Sequence, residues 1–153
     1  EVVMQAIRSS SGSLIFASKE MKDDREILMV AVEQSGDMLM HATPRLQADR
    51  GLVLAAVDRQ GTALRYASQQ LRTDEEVVLR AVAKSPNAWS HAAPSLQSDR
   101  ATILRAVARQ AEVASFIDDD LSRDRKFALA LVKQNPRCLK SLPLDMRKDA
   151  KVV

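Results

Sequence analysis

Two histidines are the side chains whose type and spacing most invite a metal-binding hypothesis, because imidazole is a common ligand of transition metals. His41 and His91 occupy equivalent places in a repeat and are separated by two repeat units. Packed helix layers of about 8–10 Å per unit would hold them on the order of 20 Å apart, too far to share one ion. We therefore expect this place to form a ladder of flat side chains that bridge neighbouring units. Its other members are Phe16, Tyr66, Phe116 and Ser141.

The remaining candidates for chemistry are equally isolated. Asp118, Asp119 and Asp120 could hold a cation or a basic partner, but such a run is more typical of a solvated turn. Cys138 aligns with small or apolar residues of the other units, which indicates a core position and not a nucleophile. The spacing of serine, histidine and aspartate suggests no catalytic triad, and no glycine-rich phosphate loop is present. The sequence predicts a protein that is not an enzyme and has no cofactor and no bound metal.

An aspartate that returns every 25 residues defines the elements that position these side chains. It occurs at 24, 49, 74, 99, 124 and 149 without an insertion. Such a fixed period is typical of a repeat protein, in which every unit stacks on its neighbours in the same way. Positions within a unit are counted from its aspartate. The units are 1 (residues 1–23), 2 (24–48), 3 (49–73), 4 (74–98), 5 (99–123) and 6 (124–148), with a partial unit at 149–153.

Each unit is predicted to contain two helices. The aspartate can cap a first helix of about ten residues, for example 25–35, because its carboxylate accepts hydrogen bonds from free backbone N–H groups. Glycine or proline at position 13, as in Gly36 and Pro86, is interpreted as the stop signal of this helix. A late leucine or methionine in every unit is expected to plug the turn before the next aspartate. The second, shorter helix is expected at roughly 38–43, 63–70 and 88–93, and a turn-forming proline follows at Pro44, Pro94 and Pro143.

The first helix carries a wide apolar surface. In unit 4 it comprises Val77, Val78, Leu79, Ala81 and Val82, which cover an arc of about 200° at about 100° per residue. A surface helix needs a stripe of only about 100°, so the wide arc indicates a helix packed between equivalent helices of two neighbouring units. A small residue at position 8, alanine in five units, would allow close approach. The predicted fold is all-α, an α-solenoid of tandem 25-residue two-helix repeats, for which we assume right-handed stacking.

The repeat also resembles a known family. The stretches DRGLVLAAVDRQGTALRYASQQL and DEEVVLRAVAKSPNAWSHAAPSL are similar to the repeat of the family catalogued as domain of unknown function 4116. The shared pattern is an opening aspartate, an Ala-Val pair, a glycine, Ala-Leu-x-Tyr-Ala-Ser and a late leucine. The resemblance covers residues 1–153, and 111–123 and 136–148 depart furthest from the pattern. It implies a helical repeat protein with no assigned activity and no catalytic residues to transfer.

Composition limits the class of protein. Apolar residues make up 46% and charged residues 28% of the chain, as in an ordinary folded domain, and four glycines and five prolines are too few for a turn-rich all-β fold. No apolar run approaches the roughly 18 residues of a membrane span. The single cysteine excludes an internal disulfide and is compatible with a reducing compartment. We expect a soluble intracellular protein and, because the chain begins at Glu1 without methionine, a fragment or an organellar subunit that has lost its targeting peptide.

A cluster of cations on the open side of the first helices is the main candidate binding site. Positions 7 and 11 lie one helical turn apart and are both cationic in units 4 and 5, and position 11 is also cationic in unit 3. We expect this cluster to dock an acidic protein surface or a phosphate-bearing ligand. In the alternative, it is a solvated face in which acids such as Glu76, Glu112 and Asp58 pair with the cations. We call these five cations the central basic face: Arg59, Arg80, Lys84, Arg105 and Arg109.

Unit 6 is strongly basic. Seven lysines and arginines against two aspartates give it a net charge of +5, whereas the whole chain carries +3 and units 2 and 5 are negative. This unit could bind nucleic acid or an anionic lipid surface, although it lacks the interleaved aromatic side chains that stack on bases. In the alternative, it is the polar cap that the end of a solenoid requires. We call its seven cations the basic end: Arg125, Lys126, Lys133, Arg137, Lys140, Arg147 and Lys148.

Solenoids usually present extended surfaces to partners. The sequence therefore favours a non-catalytic protein–protein interaction module, a scaffold or accessory subunit of a larger assembly, whose protein partner is recognised through the central basic face. The alternative is binding of nucleic acid or another anionic ligand through that face and the basic end. The third hypothesis is an enzyme or cofactor carrier, for example with a lipid or pigment site between helices. Val152 and Val153 would begin a further first helix, so we expect the chain to continue or another subunit to cover that edge.

Overall fold

The first helices follow the aspartate spacing in a computed structural model that describes residues 2–149. Of the described residues, 80% are helical, and none of them lies in a strand. The prediction of about ten helical residues after each aspartate is confirmed. The further helix predicted at Val152 and Val153 lies outside the described residues. The first helices are Val2–Ser9, Arg25–Gln34, Arg50–Arg59, Glu75–Lys84, Arg100–Arg109 and Arg125–Gln134.

The aspartates start these helices for the predicted reason. In units 2 to 6 the side chain of the aspartate accepts a hydrogen bond from backbone N–H groups of the first turn. The N–H of Leu52, for example, donates to Asp49 Oδ1 at 2.8 Å. The first N–H groups of a helix have no partner within it, so each cap satisfies a donor that would otherwise need water.

The second helix of each unit is a 3-10 helix and starts at position 13, earlier than predicted from the sequence. A third short helical segment completes the unit, so a unit has three helical segments where two were predicted. Pro44 and Pro94 occupy the first position of theirs, where the missing N–H costs nothing. The 3-10 helices are Ser11–Phe16, Gly36–His41, Gly61–Tyr66, Pro86–His91, Ala111–Phe116 and Pro136–Ser141. The third segments are Met21–Asp23, Pro44–Gln47, Leu71–Thr73, Pro94–Gln97, Asp119–Arg123 and Leu144–Lys148.

Glycine at position 13 is explained by packing and not by helix termination. The glycines of the described range all have negative φ, and the first helix of unit 2 already ends in the extended residue Ser35. A Cβ on Gly36 would lie 2.4 Å from the carbonyl oxygen of Ala56, and a Cβ on Gly61 would lie 2.2 Å from that of Ala81. Both contacts reach position 8 of the following unit. The missing side chain therefore lets successive units approach closely.

The core is a continuous aliphatic layer between the first helices and the 3-10 helices. Each first helix contacts the first helix of the next unit, and the 3-10 helices contact one another in the same order. All five residues of the apolar arc predicted in unit 4 are buried: Val77, Val78, Leu79, Ala81 and Val82. Cys138 is fully buried, as predicted for a core cysteine. The turn plug predicted in every unit is buried in units 2 and 3, at Leu46 and Leu71, and half-buried in the other four. No helix within residues 2–149 combines the length and the apolar character that spanning a bilayer requires.

Candidate binding surface

Arginine at position 2 joins each of several units to the next. Its guanidinium donates to the aspartate at position 1 of the following unit. In units 3, 4 and 6 this aspartate also caps the first helix, so it has two functions. The hydrogen bond from the arginine is the main reason why the pKa of Asp49, Asp74 and Asp124 lies below its ordinary value. These pairs were not predicted from the sequence, although the recurring Asp-Arg dipeptide indicates them. The pairs are Arg25–Asp49 at 2.8 Å, Arg50–Asp74 at 2.8 Å, Arg100–Asp124 at 2.7 Å and Arg125–Asp149 at 2.7 Å.

We call these arginine–aspartate pairs the ion-pair ladder. Unit 4 departs from the ion-pair ladder because Glu75 stands at position 2. The carboxylate of Glu75 accepts a hydrogen bond from Arg105 of unit 5, and this bond raises the pKa of Arg105. Asp99 has no arginine partner among the described residues and accepts instead from the N–H and the hydroxyl of Thr102, at 2.8 and 2.6 Å. One cation of the central basic face is thus neutralised within the chain. Of the two internal acids predicted as alternatives, Asp58 does pair with a cation of this face, Arg80, whereas the acid that pairs with Arg105 is Glu75.

Arg80 is also paired. Its Nε donates to Asp58 Oδ1 at 3.0 Å, and a second nitrogen contacts the other carboxylate oxygen. The suggestion that Glu76 would offset the charges of Arg80 and Lys84 is wrong, since Glu76 pairs with Arg50 of the preceding unit. The partner of Arg80 therefore lies one unit back along the stack.

Lys84 and Arg109 keep uncompensated charges. Both are exposed, and neither has an ion-pair or hydrogen-bond partner within residues 2–149. They line a shallow depression of about 370 Å³ together with Asp58, Arg80 and Ala83. The structure therefore brings three of the five predicted cations to one concave site, and one of the three is already bound to an acid.

Arg59 lies at the equivalent place of the preceding unit. Its Nε donates to the carbonyl oxygen of Gln34, the last residue of the first helix of unit 2, at 3.3 Å. Position 11 falls in the last turn of each first helix, where the partial negative charge of free carbonyl groups favours a cation. This explains how cations are tolerated at this position without an acidic partner.

The basic end is the largest uncompensated charge. The two acids of unit 6 pair with unit 5, Asp124 with Arg100 at 2.7 Å and Asp145 with Arg123 at 3.4 Å. Arg125 pairs with Asp149. The other six cations are exposed and have no acidic partner in the described part of the chain. They are Lys126, Lys133, Arg137, Lys140, Arg147 and Lys148.

The ladder of flat side chains predicted at position 18 does not bridge the units throughout. Phe16 is 91% exposed and Phe116 is 41% exposed. The guanidinium of Arg65 covers the Tyr66 ring at 4.5 Å. His41 and His91 are half-buried, and burial followed by the nearby cations lowers the pKa of both. Within residues 2–149 no three His, Cys, Asp or Glu side chains lie close enough to hold a metal ion.

The aspartate run is solvated, as predicted, but it begins a short helix and does not form a turn. Asp118, Asp119 and Asp120 are all exposed. Asp118 accepts a hydrogen bond from the N–H of Asp120 at 2.9 Å and caps the helix Asp119–Arg123. Asp119 lies 3.6 Å from Arg123, one turn along the same helix. The carboxylates of Asp118 and Asp119 therefore have local structural contacts, and within residues 2–149 the three acids form no group that could hold a metal ion.

The comparison with protein families agrees with the geometry of the repeat. The family described as Domain of unknown function (DUF4116) matches residues 1–47, 49–97 and 99–147. The chain belongs to this family. Each DUF4116 match spans two consecutive 25-residue units, and the matches meet beside Asp49 and Asp99. The comparisons with curated proteins and with solved structures give no significant match.

The central basic face extends across a boundary between DUF4116 matches. Three of its residues lie in the second match and two in the third, and the depression that contains Lys84 and Arg109 crosses that boundary. The candidate site is therefore created by the stacking of two family domains and not by one domain alone. The six unpaired cations of the basic end, by contrast, all belong to unit 6.

Proposed function

We propose that this chain is a non-catalytic protein–protein interaction module, a scaffold or accessory subunit that binds an acidic protein surface through the central basic face. The observation that supports this most is the pair Lys84 and Arg109. They are exposed, lie on adjacent first helices, flank one depression and have no acidic partner within residues 2–149. A partner carboxylate could bind either cation without breaking an existing ion pair.

The neighbouring pair Arg80–Asp58 supports a partner with a mixed surface. It places an acceptor and further donors in the same depression as the two free cations. An incoming acidic side chain is attracted to Lys84 and Arg109 and repelled by Asp58, so it is directed to one side of the site. Such arrangements contribute to specificity and association rate more than to affinity.

The small number of free cations favours a protein over nucleic acid at this face. Binding to a phosphate backbone depends on the number of phosphates that lysine and arginine neutralise, and salt weakens it accordingly. Arg80 and Arg105 are already bound to Asp58 and Glu75. The residues that line the depression include no aromatic side chain on which a base could stack.

A second candidate function is the binding of nucleic acid or another polyanion through the basic end. The six unpaired cations of unit 6 are the observation that favours it. This candidate predicts an affinity that falls steeply with salt, because each phosphate contact releases a counterion.

Purification of the tagged chain from its source, at low and at high salt, tests the proposal. We expect a stoichiometric protein partner with the unmodified chain and loss of that partner with K84A/R109A. The control K140A/R147A removes the same charge from the basic end and should retain the partner. A partner retained by K84A/R109A would contradict the central basic face as the site. Recovery of nucleic acid alone, lost as salt rises and lost with K140A/R147A, would support the second candidate instead.

A further inference from the structure

Units 2 and 6 carry opposite charges at equivalent positions of their first helices. In unit 2, Glu26 at position 3 and Glu33 at position 10 are exposed, and neither has an ion-pair partner in the described range. In unit 6, Lys126 and Lys133 occupy the same two positions and are likewise exposed and unpaired. Every side-chain charge at these four places is therefore free to bind an external group.

Each pair forms a stripe along one side of its helix. Positions 3 and 10 are seven residues apart, which is two helical turns and about 10 Å along the axis. Position 7 between them is a half-buried apolar residue in both units, Val30 in unit 2 and Ala130 in unit 6. Unit 2 thus presents acid, apolar, acid, and unit 6 presents base, apolar, base, with the same spacing.

Units 3 to 5 carry no unpaired charge at positions 3 and 10 in the described structure. Four of the six residues at positions 3 and 10 of units 3 to 5 are glycine or alanine, and all four are exposed: Gly51, Ala83, Ala101 and Ala108. The remaining two, Asp58 and Glu76, already pair with Arg80 and Arg50. Between unit 2 and unit 6, the unpaired charge at positions 3 and 10 therefore lies in those two units alone within the described residues. At position 10 of unit 1, outside this stretch, Arg8 is exposed and also has no ion pair in the described range.

The geometry points to a second copy of this chain as the partner. We propose that two copies associate antiparallel, so that the acidic stripe of unit 2 in each protomer lies against the basic stripe of unit 6 in the other. A two-fold axis generates both contacts at once, since the symmetry converts one contact into the other. The inference goes beyond the proposed function, because it rests on positions 3 and 10 of units 2 and 6 and on no residue of the central basic face.

The mass of the chain in solution tests the proposal. Light scattering or sedimentation equilibrium should give twice 16.9 kDa at low ionic strength, and the dimer should dissociate as the Debye length falls from about 10 Å at 0.1 M to about 3 Å at 1 M salt. Either E26K/E33K or K126E/K133E should raise the dissociation constant about tenfold or more. The control K140E/K148E makes the same charge change elsewhere in unit 6 and should leave the dimer intact.

Mixing the two charge-reversed variants is the decisive experiment. E26K/E33K has two basic stripes and K126E/K133E has two acidic stripes, so each should be monomeric alone while the mixture forms a one-to-one heterodimer. This restoration also shows that both variants are folded. The proposal would be overturned by a 16.9 kDa monomer at low ionic strength or by a mixture that stays monomeric. It would also be overturned if the dimer survived K126E/K133E or was lost with K140E/K148E. Oligomers that grow with concentration would also overturn it, since they indicate head-to-tail association.

Discussion

Glu75 accepts a hydrogen bond from Arg105, and this pair reverses the polarity of the ion-pair ladder at one step. In units 2, 3, 5 and 6, an arginine at position 2 donates to the aspartate of the next unit. In unit 4, an acid at position 2 accepts from position 7 of the next unit. The link between units is retained, but it neutralises one cation of the central basic face. The charge of that face is therefore set partly by a residue outside it.

Replacing Glu75 with glutamine should strengthen the binding of an acidic probe. The change frees Arg105, and we expect the dissociation constant of a fluorescent poly-glutamate peptide, measured by anisotropy at low salt, to fall about two- to fivefold. Glu112→Gln is the matched control, because Glu112 is exposed and has no ion pair in the described residues. An equal effect of both variants would mean that net charge alone matters and that the position of Arg105 does not.

Asp49 should contribute to stability in two separable ways, as a helix cap and as the acceptor of Arg25. Asp49→Ala removes both contacts and should lower the free energy of unfolding by about 1–2 kcal/mol. Asp49→Asn keeps a good cap and loses the ion pair, so its effect should be smaller and should resemble that of Arg25→Ala. Urea unfolding measures all three. If the asparagine variant were as unstable as the alanine variant, the cap would not be the larger contribution.

Local chemistry explains which parts of the fold could be predicted from the sequence. The aspartate at position 1 caps a helix through its own neighbours, so the first helices follow from spacing and capping alone. The function of Gly36 could not be predicted in this way, because the atom that requires a glycine is the carbonyl oxygen of Ala56, in another unit. A helix stop and a close inter-unit contact favour the same residue type, and only the packing distinguishes them.

The site was predictable in position but not in pairing. The one-turn spacing of Arg80 and Lys84 follows from helical geometry, and both line the depression. Whether a cation is free depends on the offset between stacked units, which the 25-residue period does not specify. Arg80 pairs 22 residues back with Asp58, and Arg105 pairs 30 residues back with Glu75. Only the pairs between an arginine at position 2 and the aspartate 24 residues later could have been inferred from the recurring Asp-Arg dipeptide.

Glycine at position 13 should be intolerant of a single added carbon. Gly36→Ala and Gly61→Ala each place a Cβ within 2.4 Å of a backbone oxygen, and we expect each to destabilise by about 1–3 kcal/mol because the units must move apart. The control is Gly51→Ala, where the nearest atom is the end of the flexible Arg25 side chain and the position is exposed on a helix. It should be neutral or stabilising by up to about 1 kcal/mol. Thermal unfolding distinguishes the two classes, and equal losses in all three would contradict the packing explanation.

The stability of the fold should fall with acid in two steps. The first involves His41 and His91, whose pKa is lowered mainly by burial. The folded state therefore binds fewer protons than the unfolded chain just below the ordinary histidine pKa of about 6.5, and stability is lost as the pH falls through that region. The second involves the aspartates that accept from arginine, such as Asp49 and Asp74. Because their pKa is lowered in the folded state, these aspartates stabilise the fold above about pH 4, and this contribution to the free energy of unfolding is lost as the pH falls further.

The two steps can be separated by substitution, with the free energy of unfolding measured in urea between about pH 3 and pH 8. H41Q/H91Q should remove the upper step and leave the lower one, since glutamine does not titrate. R25A/R50A should reduce the lower step, because the pKa of Asp49 and Asp74 would then lie closer to its value in the unfolded chain. A free energy of unfolding that rises as the pH falls from 7 to 5 would contradict a lowered pKa of His41 and His91.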